Sequence, residues 1–341
     1  MASILEKYTS EFAAGRELVS EESEPLLDAL ISEADESAVA NLLTAWNAKG
    51  LEENEIYEFA RTLRSRMKRV NSRHETFVDI VGTGGSKAKT FNVSTAAAFV
   101  VAGAGVPVAK HGNKAATSNS GSADVLAELG INSAVDPETA EHCLNEIGLC
   151  FMFAPNHHRL SPTLAKVRRR LGFPTIFNCV GPLCNPASAP HQLIGVWDKD
   201  LLPKMAGALA RLGTKKSWIV NGDDGLDEIS IRTTTSVIEV EGTSLRAFSL
   251  SPIDCGLKEQ SLDELNINLD GAEKSAWAIK AILTNRWPGA MESIVLVNSI
   301  AALYLGGKVT SLAEGFAYAL ESIGKGYAER KLQEMGEAIP A

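Results

Sequence analysis

Cysteine is scarce in this chain, and the five present (Cys143, Cys150, Cys179, Cys184 and Cys255) fit no zinc spacing and leave an odd count. Isolated thiols in apolar stretches such as Ile176–Cys184 are simplest as small core residues of a reduced protein. A basic excess is also missing. With 33 Lys and Arg against 42 Asp and Glu the net charge is −9, which argues against sequence-independent nucleic-acid binding. An anionic ligand would need local help from metal ions, backbone N–H groups or a few placed cations. No apolar run approaches the ~20 residues of a membrane span, and the nearest, Ala96–Ala109, is punctuated by glycine. The opening MASILEKYTSEF is charged and lacks a signal-peptide core, so the expectation is a cytoplasmic protein with no membrane contact. Internal repeats and low-complexity segments are absent too.

What is there is a chain of 341 residues, 45% hydrophobic and 22% charged, long enough for one large domain and a smaller one. Residues 1–70 read as helices only. Apolar positions recur at helical spacing in Ser23–Ile31, Ala38–Trp46 and Ile56–Leu63, with Asp35, Ser37 and Glu52–Glu53 where helix starts belong. The texture changes near residue 77, where Phe77–Val81 runs into Gly82-Thr-Gly-Gly85. Further strands are expected at 106–110, 149–153, 217–220, 236–241 and 246–250. Helical patterns lie between and after them, at 94–104, 122–129, 137–147, 200–212, 275–283, 293–305 and 312–324. Strands alternating with helices imply an α/β fold with a mostly parallel central sheet flanked by helices. Gly181–Pro190 is the most loop-like stretch and is expected to mark a crossing between domains.

Four segments carry chemistry. In the first, Asp79–Gly85 leads into Thr90-Phe-Asn-Val-Ser-Thr95 and a helix. Glycines after a strand let backbone approach a ligand closely, and Ser94 and Thr95 stand at a helix start with free N–H groups, so together they suit a phosphate. An ordinary Gly-rich turn accounts for the glycines equally well when they are taken alone. The second, Lys110–Asp124, follows a strand and is dense in hydroxyls, amides and cations, which suits a second anion such as pyrophosphate. A loop needing only solubility has no use for Lys110, His111 and Asn113 around Gly112. The third is Ala154-Pro-Asn-His-His158 with Arg168 ten residues on. Lone histidines such as His74, His142 and His191 are ordinarily structural, but an arginine after such a pair can grip a carboxylate through two bonds. In the fourth, Asn221–Glu228, four carboxylates fall within six residues, pinned at a strand end by two glycines. Hard oxygen ligands of this kind suit Mg²⁺ shared with phosphates, although a surface acidic turn explains the run equally well in isolation.

Taken in order, GTGG…TFNVST, KHGN…SGSAD, APNHH…VR…TIFN…GPL and DGLDE resemble the anthranilate phosphoribosyltransferases, and the likeness extends over nearly the whole chain. It implies a small helical domain, residues 1–70, completed by a returning segment at about 165–190, and an α/β domain over 71–341. It further implies a homodimer formed through the helical domain. By the same resemblance phosphoribosyl pyrophosphate (PRPP) contacts Gly82, Thr83, Gly84, Gly85, Thr90, Asn92, Val93, Ser94 and Thr95. It also contacts Lys110, His111, Gly112, Asn113, Ser118 and Ser122. Anthranilate meets Gly82, His111, Asn113, His158, Arg168, Gly181 and Pro182, while Ser94, Asp227 and Glu228 hold Mg²⁺. Two ions are implied, one or both arriving with PRPP. The chain departs from the family pattern at Ser86-Lys87, Lys114, Arg159 and Glu292-Ser293.

Two rival readings share the scaffold. A pyrimidine-nucleoside phosphorylase is disfavoured by the paired histidines with Arg168 and by the DGLDE turn. A non-enzymatic, nucleic-acid-binding paralogue is disfavoured by the charge of −9 and the intact metal turn.

Overall fold

The computed structural model describes residues 3–86, 90–114, 120–261, 271–286 and 289–341. Four helices come first: α1 (Ile4–Ala13), α2 (Ser20–Ser32), α3 (Glu36–Lys49) and α4 (Glu53–Arg66). Asp35 caps α3, its carboxylate accepting from the Ser37 N–H at 2.8 Å. Then follow β1 (Val78–Gly82), α5 (Val93–Gly103), β2 (Val108–Gly112), α6 (Ser122–Glu128), α7 (Pro137–Ile147) and β3 (Leu149–Phe153). The chain continues through α8 (Ala154–His157), α9 (Pro162–Leu171), α10 (Ile176–Leu183), β4 (His191–Gly195), α11 (Leu201–Leu212) and β5 (Lys216–Gly222). A hairpin, β6 (Thr235–Glu241) and β7 (Ser244–Leu250), precedes α12 (Ala272–Leu283), α13 (Ala290–Leu305), α14 (Leu312–Gly324) and α15 (Tyr327–Ala338).

The strands, among the described residues, form one seven-stranded sheet in the order β3-β2-β1-β4-β5-β6-β7. The first five are mutually parallel, and β6 and β7 are antiparallel additions at one edge. Alternation along the strands sends side chains to two cores. Leu193, Trp218, Val220 and Val237 face a core built with α5 and α13. Ile194, Ile219 and Val240 face the opposite core, which holds the apolar faces of α1–α4 and of α9–α11. Helices α5 and α13 are apolar all round because neighbours cover nearly every side of them. An aromatic chain crosses the second core, Phe12 to Trp46 at 4.7 Å, Trp46 to Phe59 at 5.2 Å and Phe59 to Phe177 at 5.8 Å between ring centroids. It ties the first helices to α10.

The expectation of a loop at Gly181–Pro190 holds for residues 184–190 and needs correction at its start. Its first residues complete α10, and the strand that follows, β4, was not expected at all although it is central to the sheet. A Gly-Pro pair reads as a breaker, but here it ends a helix whose final carbonyls find side-chain donors. The Gly181 carbonyl faces His111 Nδ1 at 3.2 Å, that of Pro182 accepts from Gln192 Nε2 at 3.0 Å, and that of Leu183 accepts from Arg64 Nε at 2.6 Å.

Candidate active site

The connection order along the sheet reverses between β1 and β4, and open parallel sheets bind ligands in the crevice at such a point. Both strands end in glycine there, Gly82 paired in register with Gly195. The reason is the acidic turn after β5, which lies across both ends. A Cβ on Gly82 would sit 2.7 Å from Asp227 Oδ2, and one on Gly195 would overlap the Asp227 carbonyl. Gly84 and Gly85 take φ of +65° and +87°, where a side chain would be strained, and the Gly84 N–H donates to Asp227 Oδ2 at 2.9 Å.

A cavity of about 590 Å³ opens at this point. Its walls bring together Gly82, Thr83, Gly84, Gly85, Thr90, Asn92, Ser94, Lys110, His111, Gly112, Asn113 and Ser122 with His158, Arg168, Gly181, Pro182, Asp227 and Glu228. Two of the expected residues are turned away from it. The side chains of Val93 and Thr95 are buried in the core one turn into α5. Ser118 and Lys87 lie outside the described residues. Of the adjacent histidines only His158 faces the cavity, since His157 Nδ1 meets the Lys68 carbonyl at 2.9 Å. His74 and His191 likewise bond backbone carbonyls, those of Leu144 and Lys216.

One half of the cavity is built for anions. Buried Lys110 donates to the Ile80 carbonyl at 2.6 Å and to Ser94 Oγ at 3.1 Å. Burial holds its pKa down to about 8, against the pull of Asp79 and Glu228. Asn92 fixes the loop before α5, its amide oxygen accepting from Ser120 and Ser275 hydroxyls at 2.9 Å each. Gly112 must be glycine because a Cβ would meet Ser122 Oγ and the Phe151 ring.

The acidic turn divides its four carboxylates between two tasks. Asp223 and Asp224 serve the turn itself, Asp223 pairing with Lys199 at 3.0 Å and Asp224 accepting from Ser230 Oγ at 2.6 Å. Asp227 and Glu228 are directed into the cavity. Burial raises the pKa of Asp227, and burial with the neighbouring Asp227 raises Glu228 well above the ordinary range. Among the described residues Glu228 finds only Thr90 Oγ1, at 3.4 Å. Two buried carboxylates with so little compensation fit a divalent cation that completes its shell from phosphate oxygens. Ser94, the third expected ligand, stands beside them across Lys110.

The other half is apolar, with Leu63, Pro155, Leu160, Leu164 and Phe177 in its walls. Arg168 of α9 reaches into it, its guanidinium 5.2 Å from the Phe177 ring centroid. Its Nε has no partner among the described residues, and loss of solvent alone lowers its pKa to about 10. His111 and His158 stack edge to face at 5.1 Å. Burial keeps both neutral, His111 well below its ordinary pKa and His158 lowered to about 4.

Sequence reasoning missed three polar residues beneath this site. Asp79 Oδ1 accepts from the His111 N–H at 3.2 Å and its Oδ2 from Asn185 Nδ2 at 2.8 Å, while burial pushes its pKa up to about 6. Gln192 supports Pro182 as described above. A carboxylate inside the apolar run Phe77–Val81 was the available signal for Asp79; a lone Asn or Gln in a Pro-rich stretch gives none. Among the departures from the family pattern, Ser86 and Lys114 line the cavity and Ser86 Oγ donates to the Gly225 carbonyl at 2.9 Å. Ser293 accepts from Gln260 Nε2 at 2.7 Å, and exposed Arg159 is outside the lining.

A switch-point crevice with an anion cradle, a buried carboxylate pair and an apolar pocket is the frame of a group-transfer enzyme. Residues 74–329 match the family model described as the glycosyl transferase family, a/b domain, and the chain is a glycosyltransferase of that family. Two relatives narrow this further. The anthranilate phosphoribosyltransferase of Pelotomaculum thermopropionicum is 43% identical over 325 residues, covering 95% of this chain and 93% of the relative. That of Desulforamulus reducens is 42% identical over 317 residues, covering 93% and 91%. The crystal structure of the Thermus thermophilus enzyme superposes with a TM-score of 0.87 at 35% identity, covering 97% of this chain and 98% of that one. The Saccharomyces cerevisiae enzyme in complex with PRPP and Mg gives 0.87 at 30% identity, covering 98% and 97%. This chain belongs to the anthranilate phosphoribosyltransferase family.

Proposed function

We propose that the protein transfers the phosphoribosyl group of PRPP to the amine of anthranilate, the step used in tryptophan biosynthesis, and releases pyrophosphate. The observation that carries this is Arg168. A cavity-lining guanidinium with a free Nε and no countercharge, set in an apolar pocket, waits for a small aromatic carboxylate. The anion half on the other side supplies a place for pyrophosphate and ribose phosphate. Gly82–Gly85, Asn92, Ser94, Lys110 and Ser122 are assigned to PRPP, and His111, His158, Arg168, Gly181 and Pro182 to the acceptor.

In the reaction the amine nitrogen bonds to C1 of the ribose as the C1–oxygen bond to pyrophosphate breaks, and one amine proton is released to water or to the departing pyrophosphate. Asp227 and Glu228 with Ser94 would hold Mg²⁺, which when bound would supply positive charge for the leaving pyrophosphate. Lys110 and the loop N–H groups add to that charge from the protein side. A ring nitrogen that bonds a carbonyl carries the proton, so His111 is protonated at Nδ1 and presents Nε2 as an acceptor. That nitrogen has no partner among the described residues and suits an amine N–H, which helps to aim the nitrogen lone pair at C1. Two ions are assigned, as is a cytoplasmic homodimer joined through the helical residues 1–70. None of the described helices is long and apolar enough to cross a membrane.

The test is PRPP- and Mg²⁺-dependent loss of anthranilate fluorescence with matching pyrophosphate release, run across a panel of aromatic amines. Phosphorolysis of a pyrimidine nucleoside with no use of PRPP would overturn the proposal. Light scattering in solution tests the dimer.

A further inference from the structure

The two halves of the cavity are joined by one side chain. Asn178 stands in the first turn of α10 and is buried. Its Nδ2 donates to the carbonyl of Thr83, inside the glycine loop, at 2.9 Å. Its Oδ1 accepts from the Thr175 N–H at 3.0 Å and from Arg168 Nη2 at 3.5 Å. The amide has one orientation only, since a carbonyl faces one end and two donors face the other. Thr83 is pinned on its other sides as well, its N–H donating to the Gly195 carbonyl at 2.9 Å and its hydroxyl accepting from the Trp197 N–H at 3.2 Å. Any shift of the glycine loop at Thr83 is therefore passed to α10. Arg168, in contrast, is loosely held. Its restraints are the long bond to Asn178 and the face of Phe177, the residue before Asn178 on the same turn.

We infer that Asn178 is a positioning residue that couples the two substrates, so that seating a pyrophosphate group on the glycine loop fixes the aim of Arg168 at the acceptor carboxylate. This rests on the phosphoribosyl-transfer reading. Coupling of this kind is reciprocal and is measurable as a ratio of affinities.

The probe pair is anthranilate with Mg²⁺-pyrophosphate, which cannot react. Anthranilate binding is followed by its fluorescence with and without Mg²⁺-pyrophosphate, in the full-length protein and in variants that keep the parent melting profile. The parent should bind anthranilate at least fivefold more tightly when pyrophosphate is seated. In Asn178→Ala that ratio should fall to near one, and in the Arg168→Ala background the same change should have no further effect. Asn178→Asp should raise the anthranilate KM tenfold or more, because a resident carboxylate beside Arg168 competes with the substrate's. Should the alanine variant fail to fold, Asn178→Ser takes its place. A parent ratio near one, a ratio kept in Asn178→Ala, or effects at 178 and 168 that simply add would each overturn the inference. Turnover of anthranilate with PRPP by the parent preparation is measured alongside. Its absence would defeat the proposed function, whereas turnover with unchanged ratios defeats only the role of Asn178.

Discussion

In the proposed reaction, Arg168 is the residue on which acceptor recognition would turn. A guanidinium stripped of water and left without a countercharge is unfavourable in the free protein, and the acceptor's carboxylate relieves it. Arg168→Ala should therefore raise the acceptor KM and cost ~2–4 kcal/mol in kcat/KM. Steady-state kinetics against both substrates checks this, since an equal rise in the PRPP KM would point to damage of the fold instead. His158 gives a pH prediction of definite sign. Its pKa falls from the ordinary 6.5 to about 4 on folding, so between those values the unfolded chain binds the extra proton. Its contribution to stability is complete above pH 6.5 and is lost as pH falls toward 4. Buried Asp79, raised to about 6, acts in the opposite direction over part of that window, so the comparison must be between variants. The melting temperature of the parent should fall more steeply than that of His158→Gln between pH 6.5 and 4, and parallel curves would remove His158 from the account. Legibility at this scale followed chemistry. Arg168, His158, Asp227 and Glu228 could be read because their charge or basicity stands out in the residues around them. Asn178, Asn185 and Gln192 could not, since an amide means little until the carbonyl opposite it is known.

At the scale of elements, β1, β2 and β3 and helices α5 to α7 were readable from apolar runs and period, and the observed ends fall within about two residues of those expected. Helices α9, α10 and α15 and strand β4 were not placed by period, and the pair α10 and β4 shows why. Residues His191 and Gln192 make the strand look polar, and Gly181-Pro182 makes the helix look broken. Both exist because distant side chains supply their hydrogen bonds, and periodicity carries no record of distant partners. Arg64 shows this most clearly. From α4 it donates to the Leu183 carbonyl that ends α10 and to the Leu212 carbonyl that ends α11, at 2.6 and 3.1 Å. It is largely buried and makes no ion pair with a carboxylate in the described residues, so burial lowers its pKa. Replacing it with methionine keeps the bulk and leaves two helix ends unsatisfied, which should cost ~1–3 kcal/mol of stability. Chemical denaturation measures that loss, and a variant as stable as the parent would show that water replaces the guanidinium.

At the scale of the whole molecule, the crevice carries charge that is not balanced from within. The acidic turn carries Asp227 and Glu228 over the ends of β1 and β4, and the sheet answers with Lys110 alone, whose pKa burial lowers to about 8. The net charge of −9 adds no help. In the metal-free state the two carboxylates therefore oppose folding, because each must be buried either charged and poorly paired or protonated. Two consequences follow that pull against each other. Asp227→Asn with Glu228→Gln should raise the melting temperature of the metal-free protein while abolishing most PRPP-dependent turnover, a separation of stability from activity. In the parent, Mg²⁺ alone should stabilise little, because the protein offers it two carboxylates and a hydroxyl and leaves the remaining positions to water. Pyrophosphate alone should stabilise little, because it would meet those carboxylates directly. Together they should raise the melting temperature by more than the sum of the two, a stabilisation approaching ~2.7 kcal/mol when the ligand is about a hundredfold above its Kd. The double variant should lose that excess. A parent stabilised equally by either component alone would mean that metal and anion occupy separate places, and that Asp227 and Glu228 do not share an ion with the substrate.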